Sequence, residues 1–371
     1  MKKILLLSAY DAGSHRRWRK DLEATFSTYD WNILTLPPRY FNWRIRGNAL
    51  SWAFSQKDVL TRSYDLIIAT SMVDLATLKG LVPSLATVPS IFYFHENQFA
   101  YPRRSQQVPW VEPQLVNLYG ALSATRIVFN SNYNRQSFVK GLEKMLGSMP
   151  DHVPPSISDL LLQKSSVIPV PFVNEIPAQH PVDKAGVNPF TLVWNHRWEY
   201  DKAPERLYRA LLLLRKTCPS FQIHILGESF HSKPTVFKQL HKDLEGNIGQ
   251  WGYIPDRREY VRLLHNSHVV ISTALHEFQG LSVIEAIAAG CIPALPDRLC
   301  YPDFFPADYL YASCMHDEQQ EAAELSAYLF DLFQKHARRA LPSAPDVSCF
   351  TWQKLKNDYA VLIQETMESL E

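Results

Sequence analysis

The chain has 371 residues, of which 46% are apolar and 20% charged; this suits two globular domains better than one and excludes a disordered or low-complexity protein. Its five cysteines, Cys218, Cys291, Cys300, Cys314 and Cys349, form no CxxC pair, so the expectation is a reducing, cytoplasmic compartment with neither a disulfide framework nor a zinc site. Net charge is +1, yet residues 1–174 carry 19 Lys and Arg against 12 Asp and Glu while the remainder carries 19 against 25; the basic half points to an anionic partner, chance partition being the alternative.

Short apolar, β-rich runs follow one another with helical stretches between them. The first, at 4–7, is cut off by Asp11, Arg16 and Arg17, so it reads as a buried strand and not as a signal peptide. Others lie at 31–36, 65–69, 90–94, 126–129 and 167–170. They are continuous and not alternating, as strands buried on both faces of a parallel sheet are, and their spacing fits βαβ units. A Pro-bearing polar stretch at 176–186 reads as a linker. The pattern restarts at 191–194, 221–226, 249–253, 268–273 and 291–295. An amphipathic helix is expected in the C-terminal stretch, with Trp352, Leu355, Tyr359, Leu362 and Ile363 near helical spacing. The expected fold class is α/β, with two facing Rossmann-like, doubly wound domains at 1–175 and 188–345 and a ligand cleft between them; residues 346–371 are expected to pack back on the first domain. No run reaches the roughly 18 apolar residues of a bilayer span.

Four segments carry candidate chemistry. Tyr10-Asp11-Ala12-Gly13-Ser14-His15 is the first βα turn, and its single glycine does not make the GxGxxG fingerprint of a dinucleotide site. A buried strand then delivers His95 and Glu96 into the expected cleft, a purely structural histidine being the competing reading. Further on, Asn195-His196-Arg197-Trp198-Glu199-Tyr200-Asp201-Lys202 joins a strand to a helix opened by Pro204. Arg197 and Lys202 suit a departing diphosphate; a loop ion pair of Arg197 with Glu199 or Asp201 is the competing reading. The richest segment runs from Ser272 to Ala286. There Gly280 admits a ligand close to the backbone, and the amides of Gly280, Leu281 and Ser282 open a helix that can cradle a diphosphate. Glu285, one turn in, leans back toward that end. Glu277 and Glu285, eight positions apart, can grip two different sugar rings, or they are a loop charge and a helix charge.

These residues resemble a known family. The E-x7-E spacing of Glu277 and Glu285, with Arg197 and Lys202, resembles the GT-B retaining glycosyltransferases. The strings Gly13-Ser14-His15, Trp43-Arg44-Ile45-Arg46-Gly47, Phe94-His95-Glu96-Asn97-Gln98, Phe129-Asn130-Ser131, Trp194-Asn195-His196-Arg197-Trp198-Glu199 and Leu275-His276-Glu277-Phe278 are similar to the tRNA-queuosine α-mannosyltransferases. The resemblance covers residues 4 to 311. It implies a GDP-mannose donor, a queuosine-bearing tRNA as acceptor and no metal. By this resemblance Arg197 and Lys202 bind the diphosphate, and Gly13 and Ser14 line its side. Glu285 takes the ribose, Glu277 with Phe278 and the nearby amides holds the sugar, and His95 faces it. Gly252 and Tyr253 meet the base. Arg44, Arg46, Glu96 and Asn97 join His95 as the expected acceptor set. Further arginines at 16, 17, 19, 39, 103 and 104, and Lys20, with Tyr40, Phe41 and Trp43, are expected to form an RNA-binding rim, solvated surface charges being the alternative. Two rival functions are a cell-envelope glycosyltransferase and a non-catalytic RNA-binding protein on the same fold.

Overall fold

The computed structural model describes residues 1–101, 111–172, 189–229 and 234–369. It divides into two compact units, Met1–Pro171 together with Trp352–Glu371, and Phe172–Thr351. In chain order the first unit holds β1 (Lys3–Ser8), α1 (Gly13–Thr25), β2 (Asp30–Thr35), α2 (Phe41–Ser55), α3 (Lys57–Leu60), β3 (Leu66–Thr70), α4 (Leu75–Leu81), β4 (Ser90–Phe94), α5 (Glu112–Ser123), β5 (Arg126–Phe129), α6 (Asn132–Leu146), α7 (Ile157–Gln163) and β6 (Ser165–Val167). The second holds β7 (Phe190–Asn195), α8 (Pro204–Thr217), β8 (Phe221–Leu226), α9 (Val236–Asp243), β9 (Ile248–Gly252), α10 (Arg257–His265), β10 (Val269–Ile271), α11 (Leu281–Ala288), β11 (Ile292–Pro296), α12 (Tyr301–Phe304), β12 (Leu310–Tyr311) and α13 (Glu318–Ala337). Helix α14 (Trp352–Glu368) returns to the first unit.

Each unit is built on a six-stranded sheet, ordered β2-β1-β3-β4-β5-β6 in the first and β12-β11-β10-β7-β8-β9 in the second. Every strand pair is parallel. The apolar runs make this possible: every residue of β3, β4, β7 and β11 is buried, as helices on both faces of a sheet require. In both sheets the winding reverses beside the first strand, between β1 and β3 and between β7 and β10. At such a reversal the loops beyond the carboxyl ends part and leave room for a ligand.

The strand expected at 167–170 lies at Ser165–Val167 instead, because Pro169 and Pro171 have no N–H to offer a ladder. The two-residue β12 is too short to leave a pattern. Helix α14 is fixed in the first unit by Tyr359, whose hydroxyl accepts from Trp18 Nε1 at 3.1 Å and lies 3.0 Å from the Tyr93 hydroxyl. Tyr93 in turn donates to the Ile168 carbonyl at 2.8 Å. The 176–186 stretch, Arg103 and Arg104 lie outside the described residues.

Candidate active site

In the second unit, β7 and β10 end side by side, and the loops that follow them are knitted together. The Leu275 amide donates to the Asp201 carbonyl at 2.8 Å. Thr273 Oγ1 donates to the Lys202 carbonyl at 2.7 Å and accepts from Trp194 Nε1 at 3.1 Å. Arg298 holds the carbonyls of Ala274 at 2.9 Å and Thr273 at 3.3 Å, while Glu321, shared with Arg206, anchors the guanidinium from behind. Gly227 lets the first loop lie down: a Cβ there would fall 1.9 Å from the His196 carbonyl oxygen.

Lys202 sits beneath these loops, with 7% of its side chain exposed. Its ammonium donates to the His276 carbonyl at 2.6 Å and pairs with Glu277 at 3.3 Å and Asp201 at 3.2 Å. Burial alone would raise the Glu277 carboxyl, but Lys202, with the Phe278 amide donating at 3.0 Å, brings it down to about 2. Burial by itself would lower the Lys202 ammonium; the carboxylates of Glu277 and Asp201 turn that into a net rise. His196 and His276 are both held at about 4, first by burial and then by Lys202, so both are neutral near pH 7. The pocket thus carries one fixed cation between two carboxylates. Arg197, half exposed, pairs with Glu199 at 3.2 Å in this state, the loop ion pair that competed with a diphosphate role.

Gly280, at φ +76, caps α11 in the left-handed region. Among the described residues the amides of Gly280, Leu281 and Ser282 meet no backbone acceptor, as is usual for the first N–H groups of a helix, and this leaves them available to an anion. The Ser282 hydroxyl is turned back to the Asn195 carbonyl at 2.7 Å and ties α11 to β7. Glu285 is 9% exposed and held from α10: Arg257 grips it at 2.9 and 3.3 Å, and the Tyr260 hydroxyl donates to it at 3.1 Å. Asn195 Nδ2 donates to that same hydroxyl at 2.5 Å. Gly252, at φ +98, ends β9, and the exposed Tyr253 follows it. The sequence offers Asp201 only as a partner for Arg197 and not for Lys202, and it does not single out Arg257 or Tyr260. Arg257 and Tyr260 share one face of α10, three residues apart, yet nothing in their spacing names a partner 25 to 28 residues downstream.

In the first unit, Gly13 and Ser14 are exposed at the start of α1, and the buried His15 ring stacks on His95 at 4.2 Å. Trp18 and Tyr93 close round His95 at 4.7 Å each. Burial, with His15 second, holds His95 well below the usual histidine range, so it is a neutral group here. Its Nε2 atom is buried and meets no partner among the described residues. Glu96 is half-buried beside it.

The expected acceptor set needs correction. Asn97 is fully buried; its amide donates to Asn134 and Ser137 and its carbonyl oxygen accepts from the amides of Phe99 and Ala100, so it shapes the loop from inside. Arg44 is buried with 8% exposed, because it lies on the inner side of α2 near Ile45 and Asn48. Arg46 is exposed but paired at 2.7 Å with Asp74, the N-cap of α4. Much of the expected basic rim is likewise neutralised: Arg16 and Arg19 share Asp11, and Arg17 pairs with Asp21.

Two family models match the chain: tRNA-queuosine alpha-mannosyltransferase N-terminal over residues 3–172 and glycosyl transferases group 1 over residues 175–330. With its two parallel sheets, the chain is a glycosyltransferase of the GT-B fold. Sucrose-phosphate synthase from Thermosynechococcus elongatus shares that fold at TM-score 0.71 and 13% identity, all of both chains being covered. Anabaena HepE in complex with UDP does so at 0.67 and 14%, covering 98% of this chain and 100% of that one. The Drosophila melanogaster tRNA-queuosine alpha-mannosyltransferase is 32% identical over 318 residues, 83% of each chain. The chain belongs to the tRNA-queuosine alpha-mannosyltransferase family. Among the described residues no helix is long and apolar enough to cross a membrane.

Proposed function

We propose that this chain transfers mannose from GDP-mannose, with retention, to the queuosine of a tRNA in the cytoplasm. The observation that carries the reading is the buried Lys202–Glu277 pair beside the open amide end of α11. A nucleotide sugar has an anionic diphosphate joined to a neutral, hydroxyl-rich ring. The Lys202 charge, Arg197 once released from Glu199, and the three amides suit the diphosphate, so no divalent metal is required. Glu277, ionised throughout the physiological range, accepts hydrogen bonds from the sugar hydroxyls. Glu285, fixed by Arg257 and Tyr260, suits the ribose. Five free cysteines agree with a reducing compartment.

A carboxylate held at about 2 is a weak nucleophile, so Glu277 is a poor starting point for a glycosyl-enzyme. In the proposed step the bond from the anomeric carbon to the β-phosphate oxygen breaks while the acceptor oxygen bonds to that carbon on the same face. The acceptor's proton passes to the departing phosphate, and GDP leaves. Positive charge at Lys202 and Arg197 favours that departure. The test is to incubate the protein with GDP-mannose or UDP-glucose and with tRNA bearing or lacking queuosine, then to analyse nucleosides by mass spectrometry. Hexosylated queuosine from GDP-mannose alone is expected. Equal transfer to tRNA lacking queuosine, or none to either, overturns the reading.

A further inference from the structure

The string Trp43-Arg44-Ile45-Arg46-Gly47 plays no part in the donor site, yet it builds something specific on α2. A Cβ on Gly47 would stand 2.4, 2.6 and 2.7 Å from Cε2, Cζ2 and Cδ2 of Trp43. Cε2 is a ring-fusion atom with no free edge, so this contact is made through the face of the indole. Trp43 therefore lies flat across a glycine, with 55% of the residue open to solvent. Glycine inside a helix costs about 1 kcal/mol relative to alanine, and here it seats an outward-facing ring.

Tyr40, 70% exposed at φ 56, stands one turn before it, with the Arg39 guanidinium 5.5 Å from its ring. Among the described residues Arg39 meets no carboxylate. From residue 38 to 55 the sequence holds three arginines and no acid. This end of α2 also adjoins the first βα turn: Phe41 meets the Tyr10 ring at 6.2 Å, the Tyr10 carbonyl lies 2.9 Å from His15 Nδ1, and His15 stacks on His95.

We infer that the first turn of α2 is a stacking platform for unpaired bases of an RNA loop, with Trp43 and Tyr40 supplying the ring faces and Arg39 meeting the backbone phosphates. This rests on the tRNA-acceptor reading and says how that acceptor is held. Loop bases must leave their stack before a glycosyltransferase can reach one of them, and aromatic faces recover the lost stacking. A membrane would use an apolar side chain at any tilt, whereas a base needs a ring fixed flat, which is what Gly47 provides.

The experiment measures binding of a fluorescent queuosine-bearing anticodon stem-loop by anisotropy, with GDP affinity alongside. Trp43→Ala should weaken the stem-loop roughly five- to a hundredfold, Trp43→Phe should keep most of the affinity, and GDP affinity should not move in either. Phe54→Ala, about three turns further along α2 at 76% exposure, should bind as wild type. Arg39→Ala should flatten the slope of log affinity against log salt by about 1, and Arg39→Lys should restore it. Wild-type affinity in Trp43→Ala, or an equal loss in Phe54→Ala, overturns the platform alone. Flotation with phosphatidylglycerol–phosphatidylethanolamine vesicles, abolished by Trp43→Ala and Phe54→Ala alike, overturns it in favour of a membrane. A wild-type chain that binds GDP but no stem-loop overturns the acceptor reading as well.

Discussion

Lys202→Met should invert the way stability responds to acid. In the wild type, Glu277 is held at about 2 against an ordinary 4.5. A carboxylate with a depressed folded-state value stabilises the fold above its unfolded value, and that contribution is lost as pH falls from about 4.5 toward 2. The gap corresponds to roughly 3 kcal/mol at neutral pH, and Glu277, with 21% of its side chain exposed, is buried enough for most of it to count. An independent route gives a similar size: removing one partner of a buried ion pair costs about 3–5 kcal/mol. Methionine preserves the stem's volume but leaves Asp201 and Glu277 with no cation between them. Burial then dominates at Glu277, its folded-state value rises above the unfolded one, and stability increases on acidification. Thermal melts between pH 3 and 8 should show the wild type losing stability with falling pH and Lys202→Met gaining it. At pH 7 the variant should melt on the order of 10 °C lower, at about 2–4 °C per kcal/mol for a unit of this size. Adding Glu277→Gln to Lys202→Met should recover part of the loss. A Lys202→Met protein within 1 kcal/mol of wild type at pH 7, or one that keeps the wild-type sign of the acid slope, would refute the charge balance described for this pocket.

Three shorter predictions concern binding and folding. Glu285→Ala should weaken GDP binding roughly ten- to a hundredfold, the worth of one charge-assisted hydrogen bond, while circular dichroism stays native; calorimetry that finds unchanged affinity reduces Glu285 to a helix charge held by Arg257. GDP should bind equally well in excess EDTA, and binding that appears only with added Mg²⁺ or Mn²⁺ would show that Lys202, Arg197 and the α11 amides do not suffice. Tyr359→Phe keeps the ring but strands the buried Trp18 Nε1 donor, so urea unfolding should report a loss of about 1–3 kcal/mol; an unmoved midpoint would mean that packing alone holds α14.

The sheets were legible because strands buried on both faces cannot hide: β4, β5 and β8 carry the expected bounds to the residue. Where polar residues pair at a sheet edge, as Ser165 and Ser166 do in β6, hydropathy points two to three residues too far along the chain. Glu277, Lys202 and the glycine-opened helix were also visible, since loop and helix-end chemistry is local. Their mutual arrangement was not. Lys202 and Glu277 meet across 75 residues, and only the adjacency of β7 and β10 brings them together. The arginines misled for a related reason. Composition counts cations but not their neighbours, and Asp11, Asp21 and Asp74 had already taken four of them. The reverse error occurs at Arg44, whose apolar helix neighbours draw it inward.

The hydroxyl pair joining Tyr93 to Tyr359 also governs how the protein can be made. The two tyrosines are 266 residues apart, and the whole second unit is synthesised between them. At about 5–20 residues per second, the wall behind His95 lacks its final helix for roughly ten to fifty seconds of translation. Nascent domains ordinarily close one after the other from the amino end. Here the earlier sheet waits for the later one to leave the ribosome, with Trp18 and Tyr93 uncovered meanwhile. The first unit is thus completed last, although its strands are the first to emerge.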